Sequence, residues 1–500
     1  MQRKQLTLVI VSLLVVVLSV SLAYFTTQII GKGKDVSVTS ANLQIVFTDS
    51  DGALTETDIE PGWQKTKTFT IKNDTKTEYK YNIVIKDLLN TFVTNGYLKY
   101  KITSTNNGYN MTEFKDIPKS SIATDTILAY SVVIPNGVTQ SYTIEFKYAN
   151  DESVDQSDDM GKKLSGTLFI TEGTEDPNKT LYNQLLVDKS TVLTRTDFSK
   201  VLTNDNTNTL YTSTEDSKTV YYFAGNATDN WVKFGKNAGN QDLYWRILRT
   251  NSEGSIRLLY HGTSTTATDA VINTSTAFNS SSSKNIAYVS YMYGSLGSIA
   301  NARTNQTNPS TIKTTIDNWY KINLEAKGYT KYLSTTAVYC NDRTYIVELS
   351  DTYFGASTRV GRNKTPSYDC ATTEDKFTVD TSTGNGKLTY PIALMTADEV
   401  SFAGGLYGNN APTWYYYNSA NGSSTGKTYW WLLSPSSWNG NGASVFAVNG
   451  SSYSGKLYSG YVSSASGVRP ALSLKSCVKY ASGDGSASAP YTIKETTSGC

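Results

Sequence analysis

Apolar and polar residues alternate along residues 36–172, in short runs separated by turn dipeptides such as Asn95-Gly96 and Asn136-Gly137. A period of two is typical of a strand with one buried and one solvated face. Asn-Gly between two such runs favours a tight turn. The pattern therefore predicts an all-β sandwich over 36–172, with strands at 43–47, 67–71, 81–85, 98–102, 142–146 and 168–170.

Residues 190–500 mix helical and extended patterns, which predicts a separate α+β domain after a linker over 173–189. One helix is predicted to begin after Ser310 and to end at Gly328. Its apolar face repeats at helical spacing and consists of Ile312, Ile316, Trp319, Tyr320 and Leu324.

A second helix is predicted at Thr396, because its hydroxyl and the Glu399 carboxylate have the spacing of a capping box. Gly404-Gly405 would end this helix. The runs 430–435 and 467–472 are rich in Trp, Val and Leu and predict buried strands. Arg469 lies between apolar residues, so we expect it to be a buried, paired structural cation.

The first 35 residues predict a signal or transmembrane anchor. Residues 6–23 form an apolar run of 18 that follows Arg3 and Lys4. As a helix this run is about 27 Å long, close to the hydrocarbon thickness of a bilayer. We expect residues 6–30 to engage the membrane, either as a retained anchor or as a signal peptide cleaved after Ala23. The remaining chain would lie at the extracellular face of the cell membrane, or be secreted after cleavage.

Composition narrows the classes of partner. The chain has 45 basic and 43 acidic residues, a net charge of +2, and no basic run that would neutralise a phosphate backbone. Nucleic acid is therefore not an expected partner. The 36 tyrosines, in a body rich in Ser, Thr, Asn and Gly, are typical of a β-rich extracellular protein. Nothing in the composition indicates an oligomeric state.

The four cysteines, Cys340, Cys370, Cys477 and Cys500, lie in the C-terminal region without the close spacing of a zinc or redox motif. Four cysteines allow three pairings, of which Cys340 with Cys370 and Cys477 with Cys500 are the most local. Disulfides are favoured over free thiols in an exported chain.

Three motifs follow one another in the last third of the chain, at 394–405, 430–435 and 467–472. Their main residues are Thr396, Glu399, Trp431, Ser434, Pro435, Gly467, Arg469 and Pro470. The order resembles the C-type-lectin-like fold, in the branch shared by formylglycine-generating enzymes and bacterial surface-protein domains of W-x-x-S-P and G-V-R-P-A-L type. The resemblance covers roughly residues 200–480.

The likeness to formylglycine-generating enzymes implies a copper-binding cysteine pair ahead of the final Gly-x-Arg strand. Here Cys477 and Cys500 follow Arg469, and the other two cysteines precede Thr396. Because the catalytic positions are not matched, we assign no catalytic residue and expect no enzyme. An extracellular enzyme of this type remains the alternative.

The region 36–172 contains Pro61-Gly62, then the strand 66–73, and later Gly161 to Gly166 before the last predicted strand. With Ala23-Tyr24-Phe25 ahead of it, this region resembles biofilm-matrix and camelysin-like exported β-sandwich proteins. Some relatives are metallopeptidases, but the single histidine, His261, lies outside this region and is expected in a loop. The resemblance therefore implies a structural or spacer module.

Residues 380–386 offer several oxygen ligands, as a calcium loop does, but lack its terminal bidentate glutamate. We assign no metal site and no cofactor, with calcium as the one alternative.

Residues 436–466 contain ten Ser, five Gly, three Asn and three Tyr, with Lys456 as the only charge. Tyrosine among small polar residues is typical of binding loops, where it supplies contact area at low entropy cost. The candidate ligand-binding residues are Trp414, Tyr416, Trp438, Tyr453, Tyr458 and Tyr461. The alternative is that these aromatics belong to core strands.

These patterns predict an exported, membrane-tethered surface protein with a β-sandwich stalk, and the resemblance implies a lectin-like head that binds a glycan or a protein. The alternatives are a biofilm-matrix or fibre subunit and the formylglycine-generating type of enzyme.

Overall fold

The computed structural model describes residues 36–40, 43–49, 54–56, 60–189, 191–267, 270–411, 429–450 and 455–500. The chain forms two compact units, one up to Pro177 and one from Asn178. Both are built mostly of β-strands with few helices. The predicted membrane segment, residues 6–30, lies outside the described residues. Among the residues that the structure describes, no helix is long and apolar enough to cross a bilayer.

The first unit is a pair of antiparallel sheets. One has the strand order β1-β2-β4-β9-β6-β7 and the other β3-β10-β5-β8. The strands β1 to β10 are Val36–Ser40, Leu43–Asp49, Leu54–Glu56, Gln64–Asn73, Tyr79–Asn90, Leu98–Ser104, Lys115–Asp116, Ser120–Ile134, Thr139–Tyr148 and Leu164–Glu172.

Both sheets contribute to one core. Ile102 and Ile144 from the larger sheet and Ile83 and Ile170 from the smaller one are buried in the same cluster. All six strands predicted from alternation are present, and Gly96 has a φ of +82° in its predicted turn. The long strand β8 was not predicted, because most of its first eight residues are exposed and so show no alternation.

The second unit contains two large sheets. One has the order β11-β12-β13-β15-β14-β31-β30. In this sheet β16 pairs with both β15 and β29, and β24 also pairs with β29. The other has the order β17-β28-β25-β22-β21, with β26 on β25 and β27 on β26. The strands β11 to β31 are Thr191–Thr194, Thr209–Glu215, Lys218–Tyr222, Trp231–Lys236, Asp242–Thr250, Ile256–Gly262, Asn273–Ala277, Met292–Tyr293, Asn308–Pro309, Tyr339–Cys340, Tyr345–Glu348, Asp351–Phe354, Lys376–Phe377, Ile392–Leu394, Trp430–Trp438, Ala443–Val448, Leu457–Tyr461, Ala465–Val468, Pro470–Leu474, Tyr480–Ser482 and Tyr491–Ile493.

The helices of this unit are short. They are α1 Leu181–Asp188, α2 Ile299–Arg303, α3 Thr311–Tyr320 and α4 Ala397–Phe402. The prediction for α3 is confirmed: Ser310 caps it, Ile312 and Ile316 are buried, and a π-helical turn continues it to Glu325, shortly before Gly328.

The predicted linker over 173–189 is wrong in its second half. Thr180 caps α1, and Leu181 and Leu185 of this helix are buried in the core of the second unit. Those two leucines are a helical i, i+4 pair, which is too short a signal to detect in sequence.

Two disulfides close local loops in the second unit. Cys340 is bonded to Cys370 and Cys477 to Cys500, so the most local of the three pairings is the one that forms. The first bond encloses β21 and β22, and the second ties the C-terminus to the residues that follow β29.

Replacing Cys340 and Cys370 together by serine should lower the free energy of unfolding of the second unit by about 3 to 4 kcal/mol, because the bond closes a loop of 30 residues. Tryptophan fluorescence in guanidinium melts reports on this unit, since seven of the eight tryptophans lie beyond residue 178. Removing the other bond, with its 23-residue separation, is the matched comparison and should have nearly the same effect. Unchanged midpoints in both variants would contradict this account.

Candidate functional site

The predicted capping box at α4 is confirmed. The Thr396 hydroxyl accepts from the Glu399 amide at 3.1 Å, and Glu399 Oε2 accepts from the Thr396 amide at 2.9 Å. Gly404 ends the helix with a φ of +113°, and a Cβ there would lie 2.5 Å from the Leu202 carbonyl oxygen. The position therefore requires glycine for two separate reasons.

The second oxygen of Glu399 has a role that the sequence did not reveal. Glu399 Oε1 lies 3.0 Å from Arg249 Nε and 3.2 Å from a terminal nitrogen of Arg257. Arg249 also pairs with Glu215 at 2.8 Å, and all four side chains are buried. Burial alone would raise the pKa of Glu215, but the charges of Arg249 and Arg257, together with hydrogen bonds from Arg249 and the Ser252 amide, outweigh burial and lower that pKa.

A second ion-pair cluster forms around Asp398, the residue before Glu399 in α4. The Arg359 guanidinium binds both oxygens of Asp398, at 2.8 and 2.9 Å, and donates to Asp342 at 2.6 Å. The arginines of both clusters line a cavity of about 20 Å³, enough for one water molecule. Its charges are already engaged with one another, which is typical of a structural network.

The chain that follows α4 bonds to strand β27 at the surface. After α4, the Leu406 carbonyl accepts from the Leu457 amide, and the Gly408 amide donates to the Leu457 carbonyl. These bonds hold Tyr407 beside β27, with its ring 5.7 Å from that of Phe446.

Four partly exposed tyrosines, which we call the tyrosine surface, lie around β27: Tyr407, Tyr429, Tyr458 and Tyr461. Their exposed fractions are 39, 40, 39 and 50%. The rings of Tyr429 and Tyr458 are 5.8 Å apart. Partial burial, and then the nearby phenols of Tyr429, Tyr407 and Tyr461, raise the pKa of Tyr458. Tyr407 is bridged to Leu457, the residue before Tyr458 in β27.

The position of β27 explains why its tyrosines are exposed. The strand pairs with β26 on one side, with Tyr458 opposite Ala447 and Tyr461 opposite Ser444. Gly460 lies between them against the Trp431 ring, which would be 3.2 Å from an added Cβ. Ala447, Ser444 and Gly460 are buried, whereas Tyr458 and Tyr461 remain exposed.

The structure brings together only part of the predicted ligand set. Tyr458 and Tyr461 belong to the tyrosine surface. Trp438 is instead partly buried at the end of β25 against the core, and among the described rings it contacts none of the four tyrosines. The other three candidates, Trp414, Tyr416 and Tyr453, lie outside the described residues. Tyr407 and Tyr429 were missed, because only tertiary pairing brings them to β27.

The motif residues of the last third have internal roles. The Trp431 indole donates to the Thr276 carbonyl, the Ser434 hydroxyl accepts from the Ala397 amide, and Pro435 is opposite Val445 in the sheet. The Gly467 amide donates to the Tyr429 carbonyl, and Pro470 is opposite Leu394. Arg469 is fully buried as expected, donates to the Tyr260 carbonyl and lies 4.8 Å from the Trp430 ring.

The sequence suggested that His261 lies in a loop, and this expectation is wrong. It lies on β16, fully buried, with its ring edge-to-face 4.4 Å from Trp231. In the 380–386 loop, the Asp380 carboxylate accepts from the Ser382 amide. Over the described ranges, no three acidic, histidine or cysteine side chains are grouped so as to hold a metal ion.

Residues 365–476, which include α4 and the strands from β25 to β29, match a family described as a domain of unknown function, DUF6273. No curated protein matches the chain at a significant level.

Two solved structures show weak likeness. A ruminal GH26 endo-β-1,4-mannanase is 14% identical, with a TM-score of 0.16, over 30% of this chain and 29% of that one. A protein described as AvmM, which catalyses macrocyclization in alchivemycin A biosynthesis, is 11% identical, with a TM-score of 0.16, over 29% of this chain and 100% of that one. At these scores neither likeness bears on fold or activity, and the chain spans less than a third of the mannanase.

Glu399→Gln should lower the free energy of unfolding by about 3 to 5 kcal/mol, because it removes a buried carboxylate that Arg249 and Arg257 share. Denaturant melts of the full chain measure the change. The control is Glu348→Gln, which breaks an exposed pair with Arg362 and should change stability little. Equal effects of the two substitutions would contradict a central role for Glu399.

Stability should also fall in acid through Glu215. Its pKa in the folded state is below the ordinary value of 4.5, so its contribution is present above pH 4.5 and is lost as the pH falls through the folded-state pKa. The difference in unfolding free energy between wild type and Glu215→Gln should therefore shrink from pH 6 to pH 3. A difference that stays constant over this range would contradict the assignment.

Proposed function

We propose that this protein is an exported surface protein, tethered to the membrane through residues 6–30, whose second unit binds a glycan or a protein through the tyrosine surface. In this proposal residues 36–172 are a β-sandwich stalk and residues 190–500 a C-type-lectin-like binding head. In this proposal the head acts by binding rather than by catalysis. The observation that carries the proposal is the cluster of four part-exposed tyrosines around β27.

Tyrosine suits such a surface because its ring supplies apolar contact area and its hydroxyl donates and accepts hydrogen bonds. Ring faces stack on sugars as well as on protein side chains. The surrounding residues 436–466 are rich in Ser, Gly and Asn, which add adaptable hydrogen bonds. Both disulfides also suit an oxidising, extracellular environment.

A fibre or matrix subunit is the second candidate, and one feature of the first unit favours it. Among the described strands, β8 lies at one end of its sheet; it is 15 residues long, and Ile122 is 75% exposed. A long edge strand of this kind can pair with another chain.

The proposal predicts that Tyr458→Ala with Tyr461→Ala weakens ligand binding about tenfold or more, as loss of aromatic anchors does. Full-chain protein would be tested on glycan and surface-protein arrays, and any ligand found titrated with each variant. Tyr130→Ala, in the first unit, is the control and should bind like wild type. Equal binding by the double variant, or no ligand on either array, would contradict the proposal.

A further inference from the structure

A β-hairpin with an apolar tip extends from the second unit. It comprises β21, the two-residue turn Leu349-Ser350, and β22. All four residues of β21 are exposed, with Tyr345 at 50% and Val347 at 61%, and Leu349 at the tip is fully exposed. We call residues 345–354 the exposed hairpin.

No contact within the described chain explains why a leucine occupies position 349. Its φ is +57°, in the left-handed region, where Gly, Asn or Asp is favoured and a leucine is strained. Its side chain also packs against nothing, so burial does not offset this strain. Packing within the described chain thus does not explain why the tip of the hairpin is apolar.

The outer edge of β21 has a defined hydrogen-bonding pattern. The Thr344 carbonyl accepts from the Gly355 amide at 2.8 Å, so residue 344 faces β22. Because bonding alternates along an antiparallel strand, Ile346 and Glu348 also face β22. The backbone groups of Tyr345 and Val347 therefore point outward, where β21 ends its sheet in the part of the chain that the structure describes.

The base of the hairpin is held firmly. The bond between Cys340 and Cys370 encloses it, and Tyr353 pairs with Ser437 of β25. Nearer the tip of the hairpin, Arg362 binds Glu348 and lies 4.4 Å from the Tyr353 ring. The edge is thus presented in one orientation, which lowers the entropy cost of pairing.

We propose that β21 pairs antiparallel with β21 of a second copy, about a two-fold axis at Ile346. In this register Tyr345 is opposite Val347 of the second copy, and their outward N–H and C=O groups bond in both directions. Ile346 meets Ile346 of the second copy across the axis. A two-fold contact of this kind closes on itself, so it yields a dimer rather than a fibre.

The side chains favour this occupant and this register. Centring the axis on Val347 instead would place Ile346 opposite Glu348, an apolar side chain against a carboxylate. A lipid surface fits less well, because the Asp351 carboxylate flanks the tip and is repelled by anionic headgroups. The inference is independent of the tyrosine surface.

Cross-linking of the full chain tests the register. All four native cysteines are in disulfides, so Ile346→Cys introduces a single free thiol. Facing residues of a non-hydrogen-bonded pair have Cα atoms about 4.5 Å apart, which a disulfide spans. Under mild oxidation we expect most of this variant to form a covalent dimer, with the link mapped to position 346 by mass spectrometry.

Val347→Cys is the matched control and should form several-fold less dimer, because its two copies are offset along the strands. Adding Val347→Pro to Ile346→Cys removes an outward N–H and should abolish the dimer without changing the thermal melt. Equal cross-linking at 347, or a dimer that survives the proline, would overturn the proposal. Absence of the covalent dimer would overturn it as well, and binding to phosphatidylglycerol vesicles that Leu349→Ser abolishes would then identify a lipid surface as the occupant.

Discussion

The second unit depends on the carboxylate of Glu399. One of its oxygens closes the capping box of α4, and the other is shared by Arg249 on β15 and Arg257 on β16. A helix of six residues is not stable alone, so α4 requires these contacts. The Ser434 hydroxyl then links its first turn to β25, in the other large sheet. Glu399 thus joins α4 to one large sheet, and Ser434 joins it to the other.

Buried ion pairs stabilise a fold less than their number suggests, because each charge must leave water. In this protein the ion pairs mainly fix the relative positions of the elements that they connect. Arg359 binds Asp398 and Asp342 in directions that its planar guanidinium defines, and Arg249 does the same with Glu215 and Glu399. These bonds determine where the chain leaves α4, and so where Tyr407 meets β27. The buried ion-pair network around α4 thus positions one member of the tyrosine surface, Tyr407.

Local signals in the sequence predicted individual elements well. The capping box, the Ser310 helix and the buried Trp430-Trp431 strand each depend on residues close together in the chain, where spacing alone carries the information. The pairing of Cys340 with Cys370 was one of three combinations, and local loops are the easiest to close. Strand β8, helix α1 and the strand position of His261 lacked such a signal. The burial of α1 and of His261 depends on neighbours that are distant in sequence, and the exposed first half of β8 shows no alternation.

The sequence by itself determined the β-rich class of the chain, the sandwich pattern of residues 36–172 and the local start of α4, because periodicity and caps act over a few residues. Only the tertiary structure decided which arginines share Glu399, and that Tyr407 and Tyr429 join Tyr458 and Tyr461 at one strand. These groups are separated by up to 150 residues in sequence. Their meeting depends on sheet order and register, which no local pattern encodes.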